Sequence, residues 1–395
     1  MGGPLHGIRA RRLLPIAVAV VLLGTIPAAA APGWSIVANP KPAGAHQYLD
    51  GVSCTGPVTA FRCFAVGSYV TAQGTVATLI ERWNGTQWAV VASPNRAGVA
   101  NSLVAVSCAS ATSCFAVGNS QATATAPAVT LIERWNGVVW TIAPSANVPN
   151  ATGNFLHAVS CAGTKCYAVG NYRSAGTAGS TLIERWTASG WVLAPSPNKP
   201  GAPINDLDGV SCIPAGTAVS CFAVGNYATI ATGAAFFTLI ERLGPAGWII
   251  IASPNVGGQY KSALDAVSCT SPSACIAVGL WQHAPGASLS EKWNGRSWTI
   301  APVANFAGWT FSQLNSVSCV SATSCFGVGS WASFGSAQTL VVHWNGTGWT
   351  PIASPNPTGS VGSRLGGVSC AGAKCMSVGS ALVGGASAIL TERNF

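Results

Sequence analysis

Cysteine is the most reactive side chain this sequence offers, and the 395 residues contain fourteen. They fall into seven close pairs: Cys54 and Cys63, Cys108 and Cys114, Cys161 and Cys166, Cys212 and Cys221, Cys269 and Cys275, Cys319 and Cys325, Cys370 and Cys375. So many thiols are unusual in a reducing cytosol. Structural zinc wants four ligands, commonly with two to four residues between neighbouring cysteines. Here each pair offers two, and the next pair is 50 to 57 residues away. The spacing therefore fits a disulfide inside each pair.

Acids and histidines are scarce enough to sort individually. Glu81-Arg82, Glu133-Arg134, Glu184-Arg185, Glu241-Arg242, Glu291-Lys292 and Glu392-Arg393 recur at one place in the repeat, so structural ion pairs or backbone anchors are expected of them. The acids left over are Asp50, Asp206, Asp208 and Asp265. Two residues before each Val-Ser-Cys stand Asp50, Val104, His157, Asp208, Asp265, Asn315 and Gly366. Brought into a ring, Asp50, His157, Asp208, Asp265 and Asn315 can hold a cation through oxygen ligands; a solvated lining is the plainer reading. No cofactor is otherwise implied. His343 stands in the arginine column and is read as structural.

Aromatic residues make a second set. Twelve of the fifteen tryptophans recur in register and are read as packing. Trp281, Trp309 and Trp331 do not recur, and Phe306, Phe311 and Phe334 lie near them. Tyr69, Tyr172, Tyr227, Trp281 and Trp331 all follow a Val-Gly by one or two residues. Exposed Trp and Tyr stack on sugar rings and anchor partner peptides, so these residues, with Trp309 and Phe311, are the candidate ligand surface. The three off-repeat tryptophans are expected to share a face between repeats five and six. Gly-x-Ser-x-Gly, phosphate-loop, His-Glu-x-x-His and dinucleotide patterns are absent. No basic stripe is present, so nucleic acid is not an expected partner.

The elements that must position these residues follow from the repeat. Each unit reads as four short strands, in the first case 49–54, 63–69, 78–83 and 88–92. Asn84-Gly85, Asn136-Gly137, Asn294-Gly295 and Asn345-Gly346 mark hairpins between the third and fourth strands, because Asn and Gly tolerate positive φ. Four antiparallel strands per unit of about 50 residues is a propeller blade. The seventh unit stops after its third strand, while Trp34-Ser-Ile-Val-Ala matches the missing fourth. The expected fold is all-β: a seven-bladed β-propeller whose N-terminal strand completes the last blade. The candidate ring column would then begin each innermost strand, at the mouth of a central channel.

Only 7% of residues are charged and the net charge is +9, which gives little electrostatic steering and favours a neutral partner. Arg9, Arg11 and Arg12 precede an apolar run, 13–23, and Ala28-Ala-Ala-Ala31. That pattern predicts a signal peptide over 1–30, a propeller domain over 31–395 and no membrane span after cleavage.

The layout resembles the broad kelch, WD40 and BNR-type propeller superfold. Gly85 and Trp88, with their counterparts Gly137 and Trp140, keep the BNR Gly-to-Trp spacing, but Trp83 and Trp135 replace the aspartate of that box. The Trp-rich, Asn-Gly-punctuated repeat is also similar to bacterial propeller lectins, and to uncharacterised secreted bacterial proteins with Val-Ser-Cys and Glu-Arg-Trp-Asn-Gly repeats. The expectation is a secreted, monomeric, non-enzymatic binding protein for an extracellular carbohydrate, cell-wall polymer or surface protein. The alternative is an extracellular glycan hydrolase or lyase acting at the channel mouth.

Overall fold

The computed structural model describes residues 33–40, 44–229, 235–256, 261–282, 286–303, 309–333 and 336–395. The export signal expected over 1–30 lies outside the described residues, as do Phe306 and Phe334. The chain is all-β, built from consecutive antiparallel units of four strands. In the first unit these run Ala45–Thr55, Arg62–Val70, Val76–Trp83 and Trp88–Val91. The last contains Ser360–Ala371, Lys374–Val383 and Ala386–Arg393, and Ser35–Ile36 pairs antiparallel with the last of these, Ser35 opposite Arg393 and Ile36 opposite Glu392. No helix among the described residues is long and apolar enough to cross a membrane.

Apolar runs rather than alternation mark the strands because both faces of each sheet are covered. The core is a series of layers between neighbouring units. Phe64, Val66 and Ile80 of repeat one pack on Leu103, Leu131, Trp135 and Trp140 of repeat two. Repeat one likewise packs on Met376 and Val378 of repeat seven. The Asn-Gly hairpins set Trp83 opposite Trp88 and Trp135 opposite Trp140. The Phe64 ring then lies 5.1 Å from Trp135 and 5.2 Å from Trp140. Of the twelve in-register tryptophans, Trp186 alone is not fully buried.

All seven cysteine pairs are disulfide-bonded within their own hairpins, each joining directly opposite residues of the first and second strands. The serine of Val-Ser-Cys has a separate role. Cys108 N donates to Ser53 Oγ, Cys161 N to Ser107 Oγ, Cys212 N to Ser160 Oγ, and the series continues to Cys370 N on Ser318 Oγ. Cys54 N donates to Ser369 Oγ at 2.9 Å.

The expected Glu-Arg ion pairs are corrected. Each glutamate is fully buried and accepts from the repeat before it: Ser93 Oγ to Glu133, Ser145 Oγ to Glu184, Ser196 Oγ to Glu241, Ser253 Oγ to Glu291 and Ser354 Oγ to Glu392. The adjacent arginine points to the other face of the strand, where Arg82 stands over Phe64 and Trp135, and Arg242 over Phe222 and Trp293. Alternation along a strand sends Glu and Arg to opposite faces, so they cannot pair.

Candidate functional site

The residues of the column two before Val-Ser-Cys line one shared cavity, and not from the strand starts. Each of its residues sits in mid-strand at a β-bulge. In repeat four Leu207 pairs with Gly225 and Gly209 with Val224, which leaves Asp208 without a partner. Asp50, Val104, His157, Asp265, Asn315 and Gly366 are skipped in the same way. A bulge re-aims the extra residue, and here the side chains turn inward on a cavity of ≈ 180 Å³. The glycine of Cys-x-x-Val-Gly permits the kink. A Cβ on Gly225 would lie 2.1 Å from the Asp206 carbonyl oxygen, and one on Gly67 would lie 1.9 Å from that of Tyr48.

A second layer of side chains, two residues earlier on each innermost strand, reaches this ring. His157 Nδ1 lies 3.3 Å from Asp206 Oδ1 and 3.2 Å from Asp208 Oδ1. Asn171 Nδ2 donates to Asp206 Oδ2 and Asn226 Nδ2 to Asp208 Oδ2. Gln313 Nε2 donates to Asp265 Oδ2 at 2.9 Å, and Arg364 lies 3.7 Å from Asp50. Asn315 is held away from the acids by its bond to the Leu365 carbonyl. Sequence reading missed Asp206 as a site residue. Its signal is Asp-x-Asp, which occurs in repeat four where other repeats place Tyr48, Ser102, Phe155, Ala263, Gln313 or Arg364 two residues before the column.

These contacts set the electrostatics. Burial works against the charge of His157, but the bonds and charges of Asp206 and Asp208 outweigh it and push its pKa up to about 10. Burial, then the charge of Asp206, raises Asp208. Burial, with the charge of Asp208 behind it, pushes Asp265 up to about 7 despite the Gln313 bond. Burial raises Asp50 against the opposing pull of Arg364. His157, Asp206 and Asp208 would present ligand atoms within 4.8 Å of one another to a cation. That ion would have to displace the proton that makes His157 a cation already.

The aromatic candidates divide. Trp309 and Trp331 stack at 5.0 Å with an interplanar angle of 19°, both half-buried on the core of repeat six. Phe311 bridges to Gly286 of repeat five. Trp281 is half-buried on a different core layer, that of repeats four and five. Tyr69 and Tyr172 pack on their own separate layers. Tyr227 stacks on Phe237 with the Lys199 ammonium 5.5 Å from its ring.

No protein-family profile and no curated protein sequence matches this chain. Solved structures do. One is YCF48 bound to a D1 peptide, 9% identical with a TM-score of 0.53, the match covering 92% of this chain and 97% of that one. Another is the polysaccharide lyase PL25 ulvan lyase bound to -[GlcA(1-4)Rha3S]-, also 9% identical, with a TM-score of 0.51 and coverage of 91% and 94%. The fold is a β-propeller. At such identities the likeness extends to the fold alone.

Proposed function

We propose that the protein is an exported, non-enzymatic propeller of seven blades that binds an extracellular carbohydrate, cell-wall polymer or surface protein. The observation carrying this reading is the Trp309–Trp331 stack, a half-exposed aromatic platform that the repeat does not require. Such pairs offer a rigid apolar face to a sugar ring or an apolar side chain. Seven disulfides support an oxidising compartment, and hence a signal peptide over 1–30 ahead of a single domain over 31–395. Ring closure by the N-terminal strand is supported by the pairing of Ser35 with Arg393 and by the bond from Cys54 N to Ser369 Oγ. Propellers of this shape hold a peptide in one solved case and a sulfated polysaccharide in another, so either partner suits the fold.

One observation favours the second reading, a glycan hydrolase or lyase at the channel. Asp265 titrates near neutrality, as a general acid or base must. Two others weigh against it. The cavity of ≈ 180 Å³ is below the roughly 300 Å³ at which small-molecule sites begin, and His157 is locked between two carboxylates. A glycan array decides whether there is a ligand, and a panel of glycanase substrates decides whether there is turnover. Trp331→Ala is expected to weaken a ligand found on the array by about 1 kcal/mol, roughly fivefold, without loss of fold. Substrate turnover abolished by Asp265→Asn would replace this reading with the enzymatic one.

A further inference from the structure

The third-strand tryptophan is missing from two repeats: Asn394 replaces it in the seventh, bonded to Cys375, and Leu243 replaces it in the fourth, where a cleft opens. Between repeats the second-strand aromatic of one unit wedges against two tryptophans of the next. Phe115 meets Trp186 and Trp191, and Phe222 meets Trp293 and Trp298. At the junction of repeats three and four Tyr167 meets Trp248 at 5.6 Å, but Leu243 stands where the second tryptophan belongs. Leucine is too small to fill that place. It also lacks the indole N–H that Trp135, Trp293 and Trp344 donate to the inner hairpin turn. The space left is a cleft of ≈ 990 Å³ lined by Tyr167, Trp186, Leu243 and Trp248, with Lys165 and Arg185 beside them.

The same substitution frees a charge. Arg82, Arg134 and Arg242 each stand over an aromatic ring of the following repeat, and Lys292 does so as well. Arg185 occupies that column, and its ring would have been residue 243. It is exposed and, among the described residues, its guanidinium has no hydrogen bond, ion pair or ring partner. Lys165 is also exposed, one of its donors resting on the Thr217 carbonyl. No carboxylate lines the cleft. The two faces of the site thus ask for different things of one ligand. The rings want a flat C–H face, and the fork of Arg185 wants a planar or tetrahedral anion.

We infer that this cleft binds an acidic sugar unit, a uronate or a sulfated residue within a longer glycan. The inference rests on the carbohydrate-binding reading and gives it a second site and a charge preference. A pyranose ring covers Trp186 while its acid group meets Arg185, and Lys165 holds the next charge along the chain.

Calorimetric titration with hexagalacturonate as the acidic probe and cellohexaose as the neutral one tests it. Hexagalacturonate is expected to bind, and to weaken as salt screens its contacts. Arg185→Gln should lower affinity about fivefold. Leu243→Trp, which restores the repeat, should lower it about tenfold or more while leaving the melting temperature unchanged or higher. Should Leu243→Trp fail to fold, Arg185→Gln combined with Lys165→Gln replaces it. Undiminished binding by these variants overturns the site, and so does equal affinity for a poly-glutamate peptide, which would reassign the cleft to acidic peptides. Cellohexaose binding lost in Trp331→Ala but kept in Leu243→Trp, with no hexagalacturonate binding, overturns this inference alone. No binding to any glycan overturns the wider reading as well.

Discussion

Gly225 shows how one absent side chain shapes the site. Its strand partner is Leu207, the residue just before the bulge that turns Asp208 into the channel. An alanine there would press its methyl onto the Asp206 carbonyl, a backbone atom with nowhere to move. Gly225→Ala is expected to cost about 3 kcal/mol, the upper range for overpacking, and to disturb the His157 cluster with it. Urea unfolding measures the first effect, and the imidazole titration of His157 by NMR the second. A variant as stable as the parent would mean that the bulge relaxes. The reason for glycine in Cys-x-x-Val-Gly is invisible in sequence, because the oxygen it avoids belongs to the neighbouring strand.

The third strand of every repeat but the sixth, which has Val342 there, carries a buried glutamate; Asn39 donates to Glu81, and the other five accept from the serine that follows the previous repeat's fourth strand. Thr78 Oγ1 adjoins Ser93 Oγ, which reaches Glu133, and Asn95 Oδ1 accepts from Thr78 N. Asn147, Asn198, Asn255 and Asn356 accept from a third-strand N–H in the same way. Burial pushes the glutamates far above 4.5, Glu81 and Glu184 to about 7, Glu133, Glu241, Glu291 and Glu392 to about 8. The folded state then binds more protons than the unfolded one across this range. Stability is fully present below about pH 4.5 and is lost as pH rises through 7 to 8. His157 and Asp265, both raised, act in the same direction. The melting temperature should be higher at pH 5 than at pH 9, and Glu133→Gln should flatten part of that slope. A melting temperature that climbs with pH would contradict the protonated latch.

At the scale of the molecule, the proposed closure concentrates in a short N-terminal strand. Trp34 is buried against Phe326, Val37 N donates to the Thr391 carbonyl, and Asn39 joins Thr391 to Glu81 of the first repeat. Trp34→Ala should cost about 3 to 5 kcal/mol, and deleting 34–40 should bare the edge of the Ala386–Arg393 strand to aggregation. Light scattering and thermal melts check both; a monomer of unchanged melting temperature would place closure elsewhere. The repeat, its four strands and the cysteine pairs were legible in the sequence, because period, turn residues and hydrophobic runs are local. What tertiary structure alone decided were contacts between repeats: the serine or asparagine under each glutamate, Asp206 against His157, the pairing of Trp309 with Trp331, and the vacancy beside Leu243. Each joins residues that are distant in the chain or lie on facing sheets, and a one-dimensional pattern carries no measure of that distance.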